Sequence, residues 1–198
     1  GGTLLRRQVT DFEIGAEGAR QVLTGSGSVE CDLVVIAAGA WSRPLAQKLG
    51  SNFPLVAERG YNVMLPDPGV APSRCVISGE RYVGIMPMEH GLRVAGLSEF
   101  AAADAPPVYA RAERLLGLLA GLIPGVNTAG FEPWMGPRPS LPDSRPVIGR
   151  SPKHGNVLFA FGHDHIGLST AGITGRLIGE LAAGRPPSMD IEPYRPDR

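Results

Sequence analysis

Residues 161–170, Phe-Gly-His-Asp-His-Ile-Gly-Leu-Ser-Thr, have the types and spacing most able to do chemistry in this chain. They follow a short apolar run at 157–161 that predicts a strand, and they precede an apolar stretch at 171–183 that predicts a helix. A glycine turn before a helix presents unpaired backbone N–H groups and the positive end of the helix dipole. The sequence therefore predicts a site for an electron-rich ligand, which could be a phosphate, a carboxylate or an anionic ring.

Arg138 is the second candidate group, because it stands between Pro137 and Pro139. The proline after it favours extended geometry, and the proline before it removes a backbone donor, so the local chain is stiff. A guanidinium on a stiff backbone can hold a carboxylate through two hydrogen bonds. The simpler alternative is a surface arginine, or one paired with Asp143.

Two other polar clusters favour structural roles. His163 and His165 have His-x-His spacing, but no cysteine or glutamate nearby completes a ligand set, so we expect no metal site there. The run Glu-Arg-Gly-Tyr at 58–61 predicts a cross-strand ion pair with a packed tyrosine ring.

Composition excludes several classes of function. The 198 residues contain 19 acidic and 19 basic side chains, so no general attraction to nucleic acid is expected. Two cysteines without paired spacing indicate a reducing compartment. No apolar run approaches the roughly 20 residues that a membrane span needs. We expect a cytoplasmic protein, or one peripheral on the inner face of the membrane.

The pattern of turns and apolar runs predicts two kinds of sheet. Runs at 3–14 and 19–24 predict an antiparallel meander. The apolar run at 32–39 predicts a strand buried on both faces of a parallel sheet, followed by a helix at 42–49. Further strands are predicted at 55–65, 74–78, 82–87, 92–97 and 130–134, with a packing helix at 108–122 and a proline-rich passage from 136. The chain also opens inside a predicted strand, without an initiator Met, so we expect the later part of a longer protein.

Three stretches resemble, in order, the D-amino acid oxidase-like superfamily, which includes D-amino acid dehydrogenases, glycine oxidase and sarcosine oxidase. They are Asp-Leu-Val-Val-Ile-Ala-Ala-Gly-Ala-Trp-Ser at 32–42, Trp-Met-Gly-Pro-Arg-Pro at 134–139 with Pro-Asp and Pro-Val-Ile-Gly soon after, and the loop at 162–170. The resemblance implies an α/β (α+β) fold. Residues 1–51 and 136–198 would be part of an FAD-binding Rossmann-like domain, the latter with its C-terminal helix. Residues 52–135 would be an antiparallel-sheet substrate domain.

The same resemblance implies an enzyme that oxidises the C–N bond of a small amino or imino acid by hydride transfer to flavin N5. The residue sequence of the 162–170 loop is most similar to that of D-amino acid dehydrogenases. Two alternatives stay open: a non-catalytic module that binds small amino or imino acids and has lost its flavin, or an inactive fragment. A related flavoenzyme acting on a hydroxy acid is a third.

Site residues are carried over by position. Arg138 matches the carboxylate-binding arginine of the family and His165 a polar residue facing the substrate, so both are expected to be catalytic and substrate-binding. Tyr61 is expected to close the substrate pocket, and Ser169 or Thr170 to cap the helix. The expected flavin-binding residues are Ala38, Gly39, Trp41, Gly162, His163, Asp164, Ile166, Gly167, Leu168, Ser169 and Thr170.

Two departures from the family pattern matter. Residues 134–142 contain no cysteine, so the resemblance implies non-covalent FAD. No strand–Gly-x-Gly-x-x-Gly–helix unit is present to grip a pyrophosphate, so we expect this stretch alone to hold FAD poorly and to be inactive. The strand at 32–37 should then present an apolar edge. We expect its partner to be the missing N-terminal FAD-binding segment or another copy of the chain.

Overall fold

The computed structural model describes residues 1–16 and 18–198. These residues form a mixture of helices and mainly antiparallel strands, which confirms the predicted fold class. They divide into two compact units: Gly1–Val56 with Pro139–Arg198, called the first unit, and Ala57–Arg138, called the second unit. The assignment of these units to cofactor and substrate stays a prediction. None of the described helices is long and apolar enough to cross a membrane.

The first unit opens with a three-stranded antiparallel meander, as predicted. Its strands are β1 (Val9–Gly15), β2 (Gly18–Thr24) and β3 (Gly27–Glu30). The predicted start of the first strand at residue 3 is wrong, because the strand begins at Val9. Leu4 is 87% exposed, so the preceding run buries too little apolar surface to hold it in a sheet.

A second sheet of the first unit contains β4 (Val34–Ile36), β10 (Val147–Arg150) and β11 (Val157–Phe161). β11 pairs with β4 in parallel and with β10 antiparallel, so β4 lies at the edge of this sheet. The prediction of a strand buried on both faces is wrong at Val35, which is 39% exposed between buried Val34 and Ile36. Only the face of this short edge strand that carries Val34 and Ile36 is covered by the core, and the face that carries Val35 is open to solvent.

Aromatic packing and two helices complete the first unit. The rings of Phe53, Phe159 and Phe161 contact one another edge to face, with centroids 5.1–5.7 Å apart. Helix α1 (Ser42–Lys48) has Pro44 in its first turn, where the missing N–H costs nothing. Helix α3 (Gly167–Ala182) packs on β10 and β11 and begins earlier than the predicted residue 171.

The second unit is built on a five-stranded sheet with one helix, α2 (Ala110–Ala120). The strand order is β6-β7-β8-β5-β9, and the strands are β5 (Val56–Leu65), β6 (Val76–Ser78), β7 (Val83–Met88), β8 (Gly91–Phe100) and β9 (Glu132–Ser140). β9 runs through Pro137 and Pro139, well beyond the predicted end at 134. Prolines fit there because β9 is an edge strand, which needs hydrogen bonds on one side only.

The two faces of this sheet differ in character. Tyr61, Val63 and Leu65 of β5 are buried in a core with Leu115 and Leu119 of α2. Side chains alternate along a strand, so the intervening residues of β5 point to the opposite side. We call that side the polar face; it carries Glu58, Gly60, Asn62 and Met64 of β5, Arg93 and Ser98 of β8, and Arg138 of β9.

The aromatic cluster of the first unit gives a stability prediction. Phe159 is fully buried, so Phe159→Ala should lower the free energy of unfolding by about 3–5 kcal/mol, through lost transfer energy and a residual cavity. Phe100 is 72% exposed, so Phe100→Ala is the matched control. It should change the free energy of unfolding by no more than about 0.5 kcal/mol. Urea denaturation followed by circular dichroism measures both. Equal losses in the two variants would contradict the described core.

Candidate functional site

Arg138 lies on the polar face of the second unit beside an acidic group. Its Nη1 is 3.5 Å from Glu58 Oε1 and donates to Ser98 Oγ at 3.4 Å. Ser98 Oγ in turn donates to Glu58 Oε1 at 2.6 Å. The Arg138 side chain is 31% exposed and that of Glu58 is 14% exposed. The three groups therefore form a half-buried polar cluster with one positive and one negative charge.

The backbone of Gly60 fixes the height of this guanidinium above the sheet. A Cβ at Gly60 would collide with Cζ and both Nη atoms of Arg138, so the guanidinium lies directly on the strand. Gly60 also pairs with Ser98 across β5 and β8. A side chain at position 60 would displace the Arg138 guanidinium from this position, so glycine allows the close approach.

This cluster can bind a zwitterion. A guanidinium offers five N–H donors in a planar fork that matches a carboxylate, whereas a carboxylate such as Glu58 accepts hydrogen bonds from an ammonium or amine. The sequence did not identify Glu58 or Ser98 as site residues. The signal was available in the alternation of β5, which places Glu58 and Gly60 on one face.

The alternative prediction, an ion pair between Arg138 and Asp143, is wrong. Asp143 Oδ2 lies 3.0 Å from Nε of Arg198, within the first unit. This hydrogen bond from Arg198, together with the backbone N–H of Arg145, holds the pKa of the Asp143 carboxyl below its usual range. Asp143 thus has its own cation.

Tyr61 lies in the core of the second unit, so its expected role in closing a substrate pocket is a misassignment. It is 1% exposed, and its hydroxyl donates to Glu99 Oε2 at 2.7 Å and accepts from the backbone N–H of Val108 at 3.1 Å. Arg59 Nε lies 3.7 Å from the same Glu99 oxygen, which confirms the predicted cross-strand ion pair with a packed ring. Alternation turns both residues away from the polar face.

The loop before α3 in the first unit has an unusual backbone. Gly162 has φ +83°, and a Cβ there would lie 2.5 Å from Cδ1 of Leu141. Asp164 has φ +51°, a left-handed conformation that few residues other than glycine adopt. Its N–H donates to Pro139 O at 3.1 Å, and its Oδ1 accepts from Ser140 Oγ at 2.8 Å. The end of β9 therefore holds this loop in shape.

The two histidines of the loop have different surroundings. His163 is half-buried, with Nε2 2.9 Å from Thr174 Oγ1 on α3, and burial lowers the pKa of its imidazole. The His163 ring therefore has a hydrogen-bond partner within the first unit. The side chain of His165 is 53% exposed, and its Nε2 lies 3.3 Å from Asp164 Oδ1. His165 is thus the ring of the pair that is accessible on this unit.

Helix α3 begins without a side-chain cap. Its N-cap residue is Ile166, and no side chain accepts from the first turn. The expected capping by Ser169 or Thr170 is wrong: both hydroxyls lie inside the helix and donate to the carbonyl of Ile166, each at 2.9 Å. The N–H groups of the first turn, those of residues 167–169, therefore have no acceptor within the helix.

A second glycine turn follows β4. Residues 39–41 form a single 3-10 turn, Gly39 has φ +55°, and a Cβ on Gly39 would meet nothing within 4 Å. Ala38 is half-buried, and Trp41 is 51% exposed. Space above this turn is open for a ligand to approach the backbone.

Residues 1–181 match the DAO family, whose description is FAD dependent oxidoreductase. A D-amino-acid oxidase of Bradyrhizobium diazoefficiens is 34% identical over 202 residues, which cover 100% of this chain and 48% of that protein. A D-amino acid dehydrogenase of Chromohalobacter salexigens is 31% identical over 185 residues, covering 92% of this chain and 44% of that protein. The chain thus spans about half the length of the curated relatives it matches.

Solved structures give the same fold. An iminodiacetate oxidase from Chelativorans sp. BNC1 superposes with a TM-score of 0.83 at 25% identity, over 98% of this chain and 53% of that one. A glycine oxidase from Geobacillus kaustophilus superposes with a TM-score of 0.82 at 24% identity, over 96% of this chain and 51% of that one. The second likeness concerns the fold alone.

The buried position of His163 predicts a pH dependence of stability. Because burial lowers its pKa in the folded protein below 6.5, the unfolded chain takes up this proton first as the pH falls. The stabilising contribution is complete above pH 6.5 and is lost as the pH falls through the lower folded-state value. His163→Gln should therefore reduce the loss of stability between about pH 8 and about pH 5, which the midpoints of urea denaturation at the two pH values measure.

His165→Gln is the matched control, because it removes an exposed ring from the same loop. It should leave the acid-side loss of stability in place. A His163→Gln profile that parallels that of the unmodified protein would contradict the assignment.

Proposed function

The chain belongs to the DAO family of FAD-dependent oxidoreductases, and on this premise we propose that the whole protein oxidises the C–N bond of a small amino or imino acid. Names among its relatives, D-amino-acid oxidase and D-amino acid dehydrogenase, support an amino acid as substrate. The observation that carries the proposal is the pairing of Arg138 with Glu58 on the polar face, 3.5 Å apart. Such a pair offers one charge to each end of a zwitterion.

In this proposal Arg138 binds the α-carboxylate of the substrate. Its guanidinium lies flat on Gly60, so the fork is oriented before the substrate arrives and little side-chain entropy is lost on binding. Nη1 already contacts Glu58 and Ser98. The substrate carboxylate would use the remaining donors of the fork.

Glu58 would hold the substrate's amine. Ser98 Oγ, at 2.6 Å, fixes one oxygen of this carboxylate. A carboxylate in this position orients the amine nitrogen and accepts a proton from an ammonium group, which leaves the nitrogen lone pair available when the α C–H bond breaks. Water then hydrolyses the product imine to an oxo acid, and the nitrogen leaves as ammonia from an amino acid or as an amine from an imino acid.

The residues of the first unit fit FAD. A bound FAD would supply the acceptor for the two electrons that leave the substrate. The uncapped first turn of α3 provides N–H donors and a positive helix end for an electron-rich ring edge. Open space above Gly39 lets a flat group approach the backbone.

The residues we propose to hold FAD, without a covalent bond, are those already expected from the sequence. His163 would contribute through its backbone, because its ring faces Thr174. The exposed side chains of Trp41, Ile166 and Leu168 offer apolar surface to a ring. The other residues proposed to hold FAD would contribute backbone N–H groups and room for close approach; they are Ala38, Gly39, Gly162, Asp164, Gly167, Ser169 and Thr170.

The direct test is to replace the carboxylate-binding group. In the whole protein, Arg138→Met should lower kcat/KM for amino acids about 100- to 10,000-fold, the equivalent of two charge-assisted hydrogen bonds, chiefly through KM. Anaerobic bleaching of the flavin absorbance by a panel of both enantiomers identifies the substrate and gives the rate. Arg74→Met, at an exposed arginine of the same unit, is the control.

Unchanged kinetics in Arg138→Met would overturn the assignment of the carboxylate. If calorimetry shows that FAD-loaded protein binds amino acids but the flavin absorbance never bleaches, the result would instead favour a binding module without turnover.

The close approach of Gly60 to Arg138 gives an independent prediction. Gly60→Ala should raise KM about 10-fold while the protein stays folded, because the added methyl group displaces the guanidinium without removing its charge. Gly117→Ala on α2 is the matched control, since a Cβ there meets nothing within 4 Å. Steady-state oxidation of the best amino acid measures both. Equal KM values for the two variants would show that the position of the Arg138 guanidinium on the strand does not affect substrate binding.

A further inference from the structure

A groove of about 440 Å³ lies in the second unit, on the polar face. It is lined by Asn62 and Met64 of β5, by Met88, by Arg93 of β8, and by Glu132 and Trp134 of β9, among others. None of these residues belongs to the Arg138–Glu58–Ser98 cluster. The groove therefore lies outside the site already described.

The groove continues from the Arg138 cluster along the same strands. Asn62 and Met64 follow Gly60 at alternate positions of β5, so all three face the same side of the sheet. On β9, the indole of Trp134 lies over Gly136, two positions before Arg138, as the contacts of a Cβ on Gly136 indicate. A molecule whose carboxylate binds Arg138 thus has this groove beside it.

Arg93 gives the groove its chemistry. It lies opposite Met64 of β5 and Met86 of β7, so its stem is flanked by apolar side chains. Its Nε is buried and has no hydrogen-bond partner among the described residues. Arg93 nevertheless lines the groove, so the outer nitrogens of its guanidinium are the donors that a ligand carboxylate there would use.

We propose that the groove receives the substrate's side chain and that Arg93 selects side chains ending in a carboxylate. This inference rests on the proposed function and extends it to a substrate class, acidic amino acids. Met64, Met88 and Trp134 supply apolar walls for the methylene part of such a side chain. Glu132 also lines the groove, but it is exposed to solvent, which screens its repulsion of the ligand.

The length of the groove favours longer acids. Met64, opposite Arg93, lies four positions along β5 from Gly60, beneath Arg138, which is about 13 Å of strand. Because the Arg138 guanidinium lies on Gly60, only the Arg93 side chain can shorten this interval, and the shortest acidic side chain spans it poorly. Glutamate and its longer homologue aminoadipate should therefore be oxidised more efficiently than aspartate.

The test uses the whole, FAD-loaded protein with both enantiomers of aspartate, glutamate, aminoadipate, glutamine and methionine. We expect kcat/KM for glutamate or aminoadipate to exceed that for methionine at least about 10-fold. Arg93→Met should lower it about 10- to 100-fold for the acids, the effect of one charge-assisted hydrogen bond, and less than about twofold for methionine. Arg93→Lys should retain part of the preference, and Arg114→Met, at an exposed arginine of α2, should change nothing.

Binding of glutarate, which has two carboxylates and cannot be oxidised as an amino acid, gives a readout independent of turnover. Calorimetry should show its affinity fall in Arg93→Met and partly recover in Arg93→Lys. If Arg93→Met fails to fold, the Lys variant with glutarate decides the question.

Two results would overturn the inference in distinguishable ways. Methionine oxidised as well as the acids, with a ratio that Arg93→Met leaves unchanged, removes Arg93 as a selector but leaves the proposed function standing. Absence of turnover with every amino acid removes the proposed function, and the substrate class with it.

Discussion

The contact of the Arg138 guanidinium with the backbone of Gly60 is the constraint on which the account of the second unit depends. A charged group pressed against a strand has few orientations, and Glu58 and Ser98 remove most of the remainder. The prolines on either side of Arg138 belong to an edge strand, where their missing N–H groups are tolerated. The sheet thus presents a rigid cation whose charge is balanced by one neighbouring carboxylate. Such preorganisation lowers the entropic cost of binding a small zwitterion.

The first unit uses backbone conformation for a similar purpose. Asp164 adopts a left-handed conformation that costs free energy unless its surroundings enforce it, and Pro139 and Ser140 supply two hydrogen bonds that do so. The loop therefore delivers the chain to the start of α3 in a defined geometry. Because no side chain caps that helix, its first N–H groups remain oriented donors. Fixed donors of this kind stabilise negative charge without reorganising, which suits a site for a reducible ring.

Much of this arrangement followed from the sequence, and the failures have physical causes. Three ordered motifs gave the family, which the match over residues 1–181 confirms. Alternation located β5 closely, but the sequence did not say which face of β5 would meet α2. Tyr61 was therefore assigned to a pocket, and the ion pair that Glu58 forms was not recognised as part of a site. The start of α3 was missed because Gly167 and Leu168 carry no capping signal. The length of β9 was missed because prolines usually end strands, and only its edge position permits them. Arg93 gave no signal at all, since an unpaired Nε is visible only in three dimensions.

The most direct test of the central claim is a crystal structure of the whole protein with an amino acid that has no α hydrogen, such as aminoisobutyrate. This ligand keeps the carboxylate and the amine but cannot be oxidised. The account predicts both carboxylate oxygens within about 2.7–3.1 Å of the Arg138 guanidinium, with the amine nitrogen at Glu58. A ligand carboxylate bound elsewhere, with Arg138 still paired only to Glu58 and Ser98, would contradict it.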